Sequence, residues 1–453
     1  MYPDQPNESP WIAQLADDPP PQPLERDASS DVVVVGAGIA GVATAFFVLR
    51  ETDNSVLLVE RDRVARGATG RNAGSLSAYF ERPLCDIAAE FGLEAAGAAQ
   101  RLLEDGHFLI DLIVDETGSD VRVERVSGHM GMFNLNHLDV HLRCLRVREQ
   151  TGLPPLSCVV SEDAEFLADI PVELTDLYSV VPQKTIRELL EVNDDQYRAV
   201  LSAPEGSANS AVLCQQILGH LERTHSDRFV YADCTNVDRI VVDDGQAVAF
   251  AGSHRIVARS AVLCTNGFVD HVVEDRAGAP IRLAPDQQIV GRAGYLTAIF
   301  EDAPRPPAAI SYIRNTVIGG DTPYAYVTRR TYDRADGTVT LTCMGGPEYH
   351  FDDSVYDPDA PFPGPLLQVV DDEVRPYAHT TRPPGRPYEF HWHGLMGYNE
   401  SKLRVVGPHP RHERLLYNLG CNGVGFLPSI AGGRRVAQLL AGRSLGASVF
   451  DPR

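Results

Sequence analysis

Lysine is almost absent: of 40 basic residues only Lys184 and Lys402 are lysines, against 62 acidic ones. The formal net charge is −22, and Arg and Lys form no long cluster. A polyanion-binding surface needs clustered positive charge, so the composition argues against a nucleic-acid partner. Cysteines at metal or redox spacing are lacking too. The eight cysteines (85, 144, 158, 214, 234, 264, 343 and 421) stand far apart, with no C-x-x-C. They fit thiols in a reducing cytoplasm better than a disulfide framework or a zinc site. The first 30 residues are acidic and Pro-rich, with neither the basic start nor the apolar core of a secretory signal. The uncharged run at residues 32–49 has 18 positions and approaches a membrane-spanning length. It opens on four valines and contains Gly36, Gly38 and Gly41, so strand, turn and buried helix explain it better. A cytoplasmic protein with no integral membrane association is expected.

The 453 residues, 43% of them hydrophobic, suffice for two or three folding units with a core that needs no covalent staples. Residues 1–30 read as a polar arm over the surface. A strand at 31–35, a Gly turn, a helix at about 39–51 and a strand at 55–60 then form the β-α-β opening of a doubly wound domain. Residues 61–80 read as a long ordered loop and roughly 84–115 as helical. The segment 208–224 reads as an amphipathic helix, followed by short β-rich runs with a hairpin turn at Asp244–Gly245. Residues 281–390 are β-rich again, with a second hairpin turn at Asp336–Gly337. A last helix begins near Ser429.

DVVVVGAGIAGVATA carries the strongest chemical signal. In G-x-G-x-x-G, Gly36 permits the tight turn, Gly38 lets the backbone approach a pyrophosphate, and Gly41 lets helix and strand pack closely. The free N–H groups of the helix N-terminus then meet the phosphates. Glu60 lies 19 residues beyond Gly41, at the end of the second strand, where a carboxylate accepts from both ribose hydroxyls. These features predict a bound dinucleotide, and by themselves do not separate NAD from FAD.

The following stretch, ERDRVARGATGRNAGS, resembles the flavin loop of the D-amino-acid-oxidase-type FAD oxidoreductases, which include glycine, sarcosine and γ-glutamylputrescine oxidases. Three further stretches resemble the same family: SPWIAQLADDPPPQPL, CTNVDRI with RIVARSAVLCTNGF, and HWHGLMGYNESKLRVVGPHP with LLYNLGCNGVGFLPSIAGGRRVAQLLAG. The resemblance implies an α/β fold: a doubly wound, Rossmann-like FAD-binding domain of the glutathione-reductase type, interleaved with a β-rich α+β substrate domain. The implied boundaries are an arm at 1–30, FAD-binding segments 31–115, 205–280 and 390–453, and substrate segments 116–204 and 281–389. It places Glu60, Arg61, Ala68, Thr69, Asn72, Ala73, Gly74, Ser75, Val237, Thr265, Asn266, Gly267 and Gly394 at the cofactor. The turn of Gly420, Gly423, Val424, Gly425, Phe426 and Leu427 is placed at the flavin's pyrimidine edge. FAD is expected to be non-covalent, with Cys343 the one position considered for a bond.

One departure bears on substrate. Relatives among the amino-acid oxidases carry an Arg two positions after the glycine matching Gly394, where it grips a substrate carboxylate. Met396 stands here, and Asn399, Ser401 and Arg404 replace a following Thr-x-Asp-x-x-Pro. A thioether cannot make a bidentate charged pair, so a simple α-amino acid is disfavoured unless another Arg, such as Arg292, supplies the grip. Tyr79, His391, His393 and Met396 are the candidates for the reacting end of the pocket. His391 and His393 alternate on a strand and are expected as its polar wall, with no metal assigned. His137 and His141 share a face of an expected helix open to solvent. Tyr324, Tyr326 and Tyr398 are read as packing residues, and the acidic runs near Asp352 and Asp371 as solvated loops. The implied activity is oxidation of a C–N bond of an amine or modified amino acid, with hydride passing to flavin and dioxygen or another acceptor reoxidising it. The alternatives are a dehydrogenase serving a carrier or quinone, and a flavin-binding pathway protein of low turnover.

Overall fold

The chain is described by a computed structural model covering residues 4–16, 19–314, 324–346, 356–368 and 387–453. The acidic runs near Asp352 and Asp371 lie outside the described residues.

Val32, Val33, Val34 and Val35 are buried on both faces because their strand, Ala28–Val35, runs inside a sheet between parallel neighbours. Its neighbours are His254–Leu263 on one side and Val56–Val59 on the other, with Phe229–Ala232 beyond the latter. His412–Leu419 also joins His254–Leu263 in parallel. The helix Ile39–Glu51 is buried at every position from Ile39 to Leu49, as expected for a helix that is hydrophobic all round. It is packed by the helices Phe426–Leu440 and Ser210–Thr224. The uncharged run at 32–49 is therefore strand, turn and core helix. Among the described residues, no helix is long and apolar enough to cross a membrane.

Gly36 adopts φ +102, and a Cβ on Gly41 would stand 1.7 Å from the Gly36 carbonyl oxygen. A side chain at either position would prevent the strand from turning directly into the helix.

A second sheet is ordered Phe390–Tyr398, Val290–Phe300, Gly337–Gly345, Tyr324–Arg334, Ala308–Ile313, Glu124–Met132, Ala199–Ser207, Ser157–Ser161 and Ser179–Val181. The expected hairpins are both present: Arg239–Val242 with Ala247–Ala251, and Tyr324–Arg334 with Gly337–Gly345.

The structure adds detail to the expectations at four places. Phe390–Tyr398, assigned by sequence to the dinucleotide-binding segment, pairs along its whole length with Val290–Phe300 in the second sheet. The strand Ala199–Ser207 likewise carries residues 205–207 into that sheet. The helical stretch near 84–115 is three helices, Leu84–Phe91, Leu93–Glu104 and Gly106–Thr117, the first two separated by Gly92 at φ +88. The N-terminal arm is exposed along most of its described length but is pinned at one point: Trp11 is fully buried, its indole N–H donates to the Asn72 carbonyl, and Tyr332 donates to the Pro10 carbonyl.

Candidate flavin and substrate site

A cavity of about 2220 Å³ lies between the two sheets, well above the roughly 300–1,000 Å³ of an ordinary small-molecule pocket. One end of it is formed where the first sheet's strands stop. Gly36, Gly38, Glu60, Arg61, Val237, Thr265 and Asn266 line it there. The Glu60 carboxylate accepts from the Ala37 N–H at 2.6 Å and the Asp62 N–H at 3.0 Å. Burial raises its pKa against those two hydrogen bonds. Arg61 stacks over the Phe268 ring at 3.8 Å. Thr69 accepts from the Ile39 N–H at 2.9 Å, capping the helix start from the neighbouring loop.

That loop crosses the second sheet. Gly394 is so close to Arg71 that a Cβ on it would stand 2.6 Å from the Arg71 carbonyl oxygen. Thr328 donates to the Ala73 carbonyl at 3.1 Å, and Ser75 bridges to Ser207. Asn72 stiffens the bend, accepting from the Gly74 N–H at 2.7 Å and donating to Ser210 at 2.9 Å. Ala68, Thr69, Asn72, Ala73, Ser75 and Gly394 all line the cavity.

The opposite wall comes from the C-terminal turn: Gly423, Val424, Gly425 and Phe426. Asn266, at φ +52, ties this turn to the first sheet by accepting from the Cys421 N–H at 3.1 Å. Gly41, Gly74, Gly267, Gly420 and Leu427 are not lining residues and stand behind the wall. Gly74 is backed by Trp11, Gly267 by the Met396 carbonyl, and Leu427 by Gly106.

A family model for FAD dependent oxidoreductases (DAO) matches residues 31–439. The chain belongs to this family. It is 31% identical to the gamma-glutamylputrescine oxidoreductase of Escherichia coli (strain K12) over 87 residues, 19% of this chain and 20% of that protein. The match thus spans about a fifth of the curated relative's length. Among solved structures, glycine oxidase from Geobacillus kaustophilus is similar with a TM-score of 0.64 and 16% identity, covering 94% of this chain and 99% of that one. L-proline dehydrogenase from P. horikoshii is similar with a TM-score of 0.65 and 15% identity, covering 92% and 95%. The last two show a shared fold.

The residues present suit the family's FAD. Thr265 Oγ1 and Arg404 Nη1 are buried without a hydrogen-bond partner, on two residues that line the cavity. Both atoms are donors, matching a cofactor rich in carbonyl and phosphate oxygens. Arg404 is otherwise held by Asn418, and burial lowers its pKa to about 10. Cys343, the position considered for a covalent bond, is fully buried in the core of the second sheet and does not line the cavity.

In this FAD dependent oxidoreductase, the pleat of Phe390–Tyr398 decides whether the two histidines reach the cavity. Gly394, Met396 and Tyr398 share the face that lines the cavity. His391 and His393 fall on the other face and form no part of its wall. His391 packs on Phe362 and Tyr388, while His393 bonds Tyr356 and the Ala360 carbonyl at 3.0 and 2.9 Å. Alternation puts both imidazoles on one face, but the sequence does not show which face meets the cavity. His137 and His141, expected in solvent, line the cavity, and burial lowers the His141 pKa to about 4.

Tyr79 lines the cavity. Its hydroxyl lies 3.1 Å from that of Tyr324, which donates to Glu81 at 2.9 Å. Burial and the Glu81 charge hold both phenols far above their ordinary pKa, so both stay protonated. A Cβ on Gly423 would stand 3.0 Å from Glu81 Oε1 and 2.9 Å from the Tyr398 hydroxyl, so this cluster abuts the C-terminal turn. Sequence reasoning missed Glu81, whose one signal is its place two residues after Tyr79, and Glu205, which has none.

Proposed function

We propose that this protein oxidises a C–N bond of an amine or modified amino acid. The observation that carries the reading is that Met396 and Tyr398 line the same cavity as the loop of residues 68–75 and the turn of Gly423 to Phe426. We assign that loop and turn, with Gly36, Gly38, Glu60, Val237 and Thr265, to FAD. Gly36, Gly38 and the helix start would face the pyrophosphate, and Glu60 the ribose. FAD, when bound, supplies the acceptor for hydride leaving the carbon that bears nitrogen, so that an imine is released.

The chain's own residues then position the substrate and keep water out. Met396 offers an apolar wall where the resemblance expects a guanidinium. Leu201, Met130 and Ile310 extend apolar lining from the second sheet. The Tyr79 and Tyr324 hydroxyls, kept protonated, hold the Glu81 carboxylate at the edge of the C-terminal turn. Lys184 is exposed and paired with Glu188, whereas Lys402 lines the cavity.

The experiment is turnover on an amine panel, assaying carbonyl product, peroxide and reduction of an artificial acceptor in parallel. Product with peroxide supports an oxidase, and product formed only with the artificial acceptor a dehydrogenase. Absence of product from every amine would remove the reading.

A further inference from the structure

The loop that crosses the second sheet ends on a buried carboxyl that the reading above does not use. Beyond the contact of Ser75 with Ser207, the Leu76 N–H donates to the Gly206 carbonyl at 2.8 Å, and the Ser77 hydroxyl donates to the carboxylate of Glu205. Glu205 lies across Gly128 of the paired strand, where a Cβ would come within 2.2 Å of Glu205 Cγ. Only a residue without a side chain leaves that space. Gly128, Met130, Leu201 and Ala203 line the cavity around it, and the Tyr79 phenol is close enough for the Glu205 charge to add to the rise of its pKa.

Ser77 is the carboxylate's single hydrogen-bond partner among the described residues, and no Lys, Arg or His among them forms an ion pair with it. Burial pushes its pKa up to about 8, the direction expected where no cation compensates the charge. The cost of keeping such a group in an apolar wall falls when a cation binds beside it.

Position decides which cation. The loop runs from Arg71, against Gly394 on the strand of Met396, to Ser77 at Glu205. Met396 and Glu205 stand on strands separated by five others in the second sheet, and the loop that touches both can span about 20 Å at most, so they lie at the two ends of this stretch of the cavity. We propose that Glu205 and Ser77 form a distal subsite for an ammonium group that the substrate carries in addition to the nitrogen being oxidised. The substrate class is then an amine with a hydrocarbon body and a second, cationic end. This rests on the amine-oxidation reading for the role of the first nitrogen. The protein's net charge of −22 favours the approach of such dications.

The test uses FAD-loaded protein, with α,ω-diamines of four to six carbons against monoamines of equal length. Dissociation constants come from anaerobic calorimetry, and kcat and KM are measured separately. Wild-type protein is expected to bind diamines more tightly than matched monoamines. Glu205→Gln should weaken diamine binding about tenfold or more, leave monoamine binding and flavin content unchanged, and raise KM rather than lower kcat. Ser77→Ala, which keeps the charge, should lose less with the same selectivity. Absence of a diamine preference, or equal losses for both ligand sets in Glu205→Gln, would overturn the proposal. Calorimetric selectivity without flavin reduction by any amine would sustain the subsite and remove the oxidation reading instead.

Discussion

Arg292 stands directly opposite Met396 in the antiparallel pair of Val290–Phe300 and Phe390–Tyr398. Both line the cavity, and the Arg292 guanidinium carbon lies 5.0 Å over the Tyr398 ring. Residues opposed in this way have Cβ atoms about 4.5–5.5 Å apart. The positive charge that the resemblance expects at 396 is therefore present one strand away.

Arg292→Met is expected to lower kcat/KM about 10- to 100-fold for an amine bearing a carboxylate, the magnitude of a charge-assisted hydrogen bond of roughly 1.5–3 kcal/mol. Carboxylate-free amines should be unaffected. Equal losses on both would give Arg292 a packing role. Even with Arg292 in reach of a carboxylate, glycine, sarcosine and D-alanine should turn over more slowly than larger amines, because their small bodies leave the apolar lining of Met396, Met130, Leu201 and Ile310 unfilled. Efficient turnover of D-alanine would contradict that.

Glu60→Ala should weaken FAD binding about tenfold or more while the spectrum of retained FAD stays unchanged. The carboxylate braces the Ala37 and Asp62 N–H groups at the dinucleotide end. Equilibrium dialysis of FAD checks the affinity. A shifted flavin spectrum with normal affinity would place Glu60 near the ring.

Flavin should come away intact on acid precipitation, because Cys343 is sealed in the core of the second sheet. Yellow colour remaining with the pellet would show a covalent bond.

Glu205 imposes a pH dependence of definite sign. Its folded pKa is raised from 4.5 to about 8, so between those values the folded chain binds the proton more tightly than the unfolded one. Its stabilising contribution is complete below about 4.5 and is lost as pH rises through about 8. Glu205→Gln should therefore lose less thermal stability than wild type between those pH values. Parallel profiles would mean the carboxyl is already solvated.

The opening β-α-β unit is legible because its geometry is local: Gly36 and Gly41 must be glycines for one turn, and Glu60 closes the same unit. The substrate end depends on register between distant segments. Nothing near Glu205 in sequence indicates Ser77 or Gly128, and Met396 acquires its neighbour Arg292 only through sheet pairing. His391 and His393 were misplaced for the same reason, since period-2 alternation gives two faces without telling which is wet. Phe390–Tyr398 was assigned to the other sheet because it adjoins the family-like C-terminal segment in sequence, whereas its partner strand lies about a hundred residues earlier.

The central claim is that this cavity brings an amine to bound FAD. It is tested most directly by adding amines and N-methyl amino acids to the purified holoprotein under anaerobic conditions and recording flavin absorbance. The account predicts bleaching by at least one larger amine or modified amino acid, at a concentration where glycine and D-alanine have little effect. A holoprotein that stays fully oxidised with every amine, or one that is colourless and binds NAD in place of FAD, would contradict it.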